Sequence, residues 1–306
     1  FSISNSIARL HTPRVLYVVM VFPPENESRV VFYSTRKWNL LQAMHICDAP
    51  SGLRIRYARR RGKGCAAMEA RIIVSGERGI AAYAVPPDEM LASYGAGGAD
   101  AVCAGRNGLY AADNREQTIC RYDLETLLPM HVFCGGPGIT QMMLSRDERY
   151  LYALCAEADS LIMLCAHSGT PKLLCRAGVN PCAMAMDESG RFLAVAGGAS
   201  GDVFLLDAHS LSLCRRFPTC GMVFSVAILE KHVYALSLTE TMDTVLTVFT
   251  QGRSERKIPL PGMPGALCIV PEYIIAATHC GLFFLPHGES SILSHIAVPG
   301  RAGSLC

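Results

Sequence analysis

The chain has 306 residues, half of them hydrophobic and 18% charged, with a formal net charge of +2. That is ample apolar material for a large core. The near-neutral balance excludes a global attraction to nucleic acid or to an anionic membrane.

In chain order, Val15 to Phe22 is a run of eight apolar residues that reads as a strand. A signal-peptide core competes for the segment, but Pro23-Pro24 follow where a small-residue cleavage site is needed. No apolar run reaches the length of a membrane span. Residues 49–63 form a basic insertion: Arg54, Arg56, Arg59, Arg60, Arg61 and Lys63 put six positive charges into ten residues. Ile72-Ile73-Val74 is the next strand. Gly95-Ala96-Gly97-Gly98 has the glycines of a dinucleotide loop without the helix that must follow, so it reads as a turn.

From there the chain repeats. Leu109-Tyr110, Leu151-Tyr152, Leu193-Ala194, Val233-Tyr234 and Ile275-Ala276 recur at separations of 42, 42, 40 and 42 residues. Short strands at this period are the mark of β-propeller blades, four strands each. With the strands at 15–22 and 72–74 as second strands of two earlier units, the repeat predicts a single-domain, all-β, seven-bladed propeller over 1–306, with the basic insertion between blades 1 and 2. Gly300 to Cys306 mirrors Gly262 to Cys268, so the C-terminus is expected to supply an inner strand to the first blade. Ile7-Ala8-Arg9-Leu10 competes for that slot.

Fourteen cysteines without one C-x-x-C pair exclude zinc ribbons, thioredoxin chemistry and c-type haem attachment. Many fall on strand positions, as in Ile119-Cys120-Arg121-Tyr122, and read as small buried hydrophobes in a reducing compartment. The expected location is the cytoplasm. A secreted or cell-envelope propeller whose leader has been removed is the alternative.

Ser145-Arg146-Asp147-Glu148-Arg149-Tyr150-Leu151-Tyr152, Ser189 to Val195, and Val203-Phe204-Leu205-Leu206-Asp207 resemble the YVTN family of propeller repeats, whose units read S-P-D-G-R-x-L-Y-V followed by V-x-V-I-D. The resemblance extends over about residues 100–250. It implies a propeller of the lactonase-like and surface-layer type, and it leaves the function open because one fold carries many.

Ligand contacts are expected on the face formed by inter-blade connections and by loops joining second to third strands. These loops include Ala112 to Gln117, with Asp113 and Arg115, and Ala156 to Asp159. The basic insertion falls on the same face. Arginine forks suit carboxylate and phosphate, so these charges are candidates for an anionic ligand or an acidic partner. A sugar lactonase would need His, Glu or Arg projecting from the inner strands. Those strands read Ala66-Ala67-Met68, Ala101-Val102-Cys103, Thr140 to Met143, Cys182-Ala183-Met184, Val223-Phe224-Ser225 and Ala266-Leu267-Cys268. Gln141 and Ser225 are their polar residues, with Glu69 just beyond. His279-Cys280 is the one pairing of potential metal ligands, and neighbours in an extended strand point to opposite faces. The sequence therefore predicts a non-catalytic, monomeric binding or scaffolding propeller with no cofactor or metal. Its partner is a protein or a small anion, and lactonase-like hydrolysis is the alternative.

Overall fold

The computed structural model describes residues 99–124, 126–250, 255–269, 273–287 and 292–297, and the strands at 17–21, 31–32, 71–76, 79–84 and 90–94. Every regular element among the described residues is a β-strand. No helix among them is long and apolar enough to cross a membrane, which says nothing of β-barrels.

The first sheet contains β1 (Tyr17–Val21), β2 (Val31–Phe32), β3 (Arg71–Gly76), β4 (Gly79–Ala84) and β5 (Met90–Tyr94), in the order β2-β1-β3-β4-β5. Five four-stranded antiparallel meanders follow. They are β6 (Ala101–Gly105) to β9 (Pro129–Cys134), β10 (Ile139–Leu144) to β13 (Pro171–Arg176), β14 (Ala183–Met186) to β17 (Leu213–Pro218), β18 (Gly221–Leu229) to β21 (Glu255–Leu260), and β22 (Pro264–Ile269) to β25 (Ser294–Ala297). The first strands of successive sheets lie beside one another, β1 by β6, then β10, β14, β18 and β22, and β22 also meets β2. Sheets arranged radially on their first strands make a β-propeller.

The N-terminal assignment is corrected. β1 pairs directly with β3, from Tyr17 opposite Ser75 to Val21 opposite Arg71, so the two belong to one sheet. The described residues thus hold six sheets where the repeat predicts seven. The physical reason is that an apolar run does not encode its pairing partner, and Tyr17–Val21 pairs with β3 instead of belonging to a separate blade. The edge of β3 expected to pair with Ala66-Ala67-Met68 is taken by β1. Residues 66–68, 7–10 and 300–306 lie outside the described residues.

Burial explains why the second strands dominate the sequence pattern. β11 (Tyr150–Cys155) is buried at five consecutive positions, and β15 (Phe192–Ala196) at four. Each is covered on both faces by neighbouring sheets, so both side-chain rows must be apolar. The outer strands β9, β13 and β17 are mostly exposed. The cores lie between consecutive sheets: Tyr110, Ile119 and Phe133 of one sheet pack with Met142, Leu151 and Cys155 of the next. Tyr152, Leu154 and Leu161 pack in the same way with Met184, Leu193 and Leu206.

Candidate functional site

The channel wall is built by bulges. The register of β10 slips between Ile139 and Gln141, and that of β18 slips between Val223 and Ser225. A bulge re-aims the side chain that follows it. Gln141, 4% exposed, points into the neighbouring sheet, where its Nε2 donates to the Met184 carbonyl at 3.1 Å and its Oε1 accepts the Met184 N–H at 2.6 Å. Ser225 Oγ accepts the Leu267 N–H of the next sheet at 3.0 Å. At the junction between these two, Cys182 Sγ donates to the Val223 carbonyl at 2.9 Å, and Thr140 Oγ1 donates to the Pro181 carbonyl at 3.3 Å. The polar groups expected to face a ligand are therefore spent joining inner strands. The space left between Gln141, Cys182, Met184, Ser225 and Leu267 is about 30 Å³, one water's share of liquid.

Asp113 and Arg115 lie together at the turn joining the second and third strands of their sheet. Asp113 Oδ1 accepts the N–H of Arg115 at 3.0 Å and that of Glu116 at 3.3 Å. Between them Asn114 clamps the next sheet: its Nδ2 donates to the Ile139 carbonyl at 3.1 Å, and its Oδ1 accepts the Ile139 N–H at 2.7 Å. Arg54, Arg56, Arg59, Arg60, Arg61, Lys63 and Glu69 lie outside the described residues.

A cavity of about 270 Å³ is on the opposite face, where turns between first and second strands meet turns between third and fourth. Asn107, Tyr110 and Arg121 of one sheet line it together with Glu148 and His167 of the next. Arg121 Nη2 donates to the Asn107 carbonyl at 2.6 Å, and its Nη1 lies 3.3 Å from His167 Nδ1. That nitrogen accepts only when the imidazole is neutral and protonated at Nε2. Arg121 Nε is buried with no partner among the described residues. Tyr110 donates its hydroxyl to the Ala166 carbonyl at 3.0 Å, which anchors the turn bearing His167. Burial raises the Tyr110 pKa, and the nearby Arg121 charge opposes that rise. Glu148, with an 11% exposed side chain, accepts the Arg106 N–H on Oε2 at 2.8 Å, while its Oε1 lies 4.0 Å from Arg106 Nε.

The sequence carried a signal for this cleft in one departure from the repeat. Arg121 pairs with Tyr110, and the corresponding partners in later sheets are Met163, Leu205, Val248 and Phe283, all buried and apolar. Glu148 occupies a turn position with left-handed backbone, φ 57°, shared by Gly190 at 74° and Glu230 at 52°. Strained non-glycine residues gather at functional sites.

His279 and Cys280 lie in a turn, and Cys280 Sγ comes within 3.5 Å of His279 Nε2. No group of three or more His, Cys, Asp or Glu among the described residues could hold a metal ion. No disulfide joins the described cysteines. Burial pushes the thiol pKa values of Cys103 and Cys182 up to about 12 and that of Cys155 up to about 11, so these thiols stay protonated at neutral pH.

No known family profile matches the chain, and neither does any curated protein. Among solved structures, a chain of the mitotic checkpoint complex superposes with a TM-score of 0.60 at 14% identity, covering 68% of both chains. A chain of the hydrazine synthase of Kuenenia stuttgartiensis superposes with a TM-score of 0.59 at 11% identity, covering 71% of this chain and 73% of that one. At such identities the likeness is one of fold: the chain is similar to β-propellers that carry quite different functions.

Proposed function

We propose that the chain is a non-catalytic binding or scaffolding propeller, a single domain of YVTN-type repeats that engages a protein partner or a small anion. The observation that carries this reading is the use of the inner-strand polar groups. Gln141, Ser225 and Cys182 are all committed to neighbouring backbone, so none of the three is free to act as a base towards the channel. Lactone hydrolysis has no foothold there. The solved relative in a multiprotein complex supports partner binding as the class of function. On this reading the partner meets the face bearing Asp113 and Arg115, and the basic run Arg54, Arg56, Arg59, Arg60, Arg61 and Lys63, outside the described residues, is the proposed source of anion attraction. Inserted loops on rigid scaffolds often carry function. A monomer in the cytoplasm completes the reading.

The test is a photo-crosslinking residue placed at Arg115 and, separately, at outer-strand Leu174, in chains expressed in their native cell. The reading holds if the Arg115 position captures a discrete protein that the Leu174 position does not, and if Arg59, Arg60 and Arg61→Ser lowers the yield. It fails if the two positions capture the same background. It also fails if the purified chain turns over gluconolactone and Gln141→Ala removes that turnover.

A further inference from the structure

We infer that the cleft between Arg121 and Glu148 is a binding site for a small zwitterion of the amino-acid class, on the face away from the partner loops. Three independent observations converge on it. The first is charge. Arg121 and Glu148 line one cavity of about 270 Å³, yet neither forms an ion pair with the other among the described residues. Opposite charges left free to meet across open space reduce their energy by pairing. Carried on two different sheets, with Glu148 in only a long, 4.0 Å ion pair with Arg106, they present a cation and an anion to a third party.

The second is unused hydrogen-bonding capacity. A guanidinium has five N–H donors. Arg121 gives one to Asn107 and one towards His167, which leaves donors for a carboxylate. Glu148 Oε2 is engaged by the Arg106 N–H, while Oε1 has only a distant, 4.0 Å approach from Arg106 Nε. An ammonium group would complete it. The third is placement against the repeat. Arg121 breaks the blade pattern at a position that is buried and apolar in the later sheets, and Glu148 shares the cavity from a left-handed turn position.

Size sets the class. Pockets for larger ligands run from about 300 Å³ upward, so this cavity suits a metabolite of a few heavy atoms beyond its charged ends. A carboxylate on Arg121 makes charge-assisted hydrogen bonds, and an ammonium on Glu148 makes the matching set. A plain anion would meet Glu148 as a like charge, and a plain cation would meet Arg121.

The test is ligand-observed NMR on the full chain with each proteinogenic amino acid in turn, and with acetate and methylammonium as the two half-ligands. At least one amino acid is expected to bind, with acetate and methylammonium failing at the same concentration. Arg121→Met, which installs the residue a sister sheet carries at Met163, should weaken binding about tenfold or more while the fold survives. Glu148→Gln keeps an acceptor for the Arg106 N–H and should weaken binding comparably. The inference is overturned if no amino acid binds, if acetate alone matches the best amino acid, or if Arg121→Met leaves binding intact. The loop-face crosslinking test involves neither Arg121 nor Glu148, so either idea can fail without the other.

Discussion

The carboxamide of Gln141 is bonded at both ends to the backbone of a single residue, Met184, 43 positions later and one sheet away. Two well-made hydrogen bonds between adjacent inner strands fix the angle between their sheets. This also decides what Gln141 is for. Gln141→Leu leaves the Met184 N–H and carbonyl without partners in a dry environment, and the expected loss is about 2 kcal/mol or more. Urea unfolding should show a lower midpoint with an unchanged slope. Ser225→Ala removes one bond and should cost about 1 kcal/mol. Were these residues ligand contacts instead, the same changes would leave the midpoint in place.

The repeat was legible because the second strands are sandwiched between sheets and cannot hide their apolar character. Leu151-Tyr152 and Leu193-Ala194 have little freedom to vary. The function of the channel was not legible. Whether Gln141 points to solvent or to Met184 depends on a bulge, and a bulge leaves no residue signature of its own. The cleft was half visible. Arg121 stood in the sequence beside Cys120 as an ordinary strand residue, and its oddness shows only when cross-strand partners are aligned sheet by sheet. That the cleft opens on the face away from the loops was not legible for a related reason. Sequence assigns loops to a face, but only packing decides which face is left hollow.

The turn between β14 and β15 tests the glycine of the repeat directly. Gly190 has φ 74°, and a Cβ built there would sit 3.0 Å from Arg146 Cβ. Gly190→Ala should lower stability by about 1–2 kcal/mol through backbone strain alone. The corresponding residues Glu148 and Glu230 hold φ 57° and 52°, so the strain is tolerated where something offsets it. An Ala at 190 brings no compensating contact, and thermal unfolding should register the loss.

Tyr152 donates its hydroxyl to the Ala208 carbonyl at 2.9 Å, just as Tyr110 does to Ala166 in the preceding sheet. Tyr152 is wholly buried, and desolvation, with smaller contributions from Asp147, Tyr150 and Asp207, pushes its pKa to about 12. Tyr152→Phe keeps the ring and strands the Ala208 carbonyl, so a loss of about 1 kcal/mol is expected. Tyr110→Phe should cost a similar amount and, in addition, loosen the turn that carries His167. Backbone amide exchange at residues 166–169 would separate the two effects, rising in the Tyr110 variant and staying low in the Tyr152 variant.

The buried thiols set an alkaline limit. Desolvation lifts Cys103 and Cys182 from an ordinary value of 9.0 to about 12, and Cys155 to about 11. The thiol is the uncharged form, so the folded state keeps its proton where the unfolded chain has already lost it. Below pH 9 both states are protonated and the thiols contribute nothing pH-dependent. Between about pH 9 and 12 the unfolded state binds fewer protons, so stability falls as pH rises, by up to about 1.4 kcal/mol per pH unit for each such thiol. Denaturant midpoints measured from pH 7 to 11 should therefore be level at first and decline from about pH 9. Cys103→Ala combined with Cys182→Ala should begin lower, because small cavities open in the core, but decline less steeply. A parallel decline in parent and variant would assign the alkaline loss to other groups, with Tyr152 the next to test.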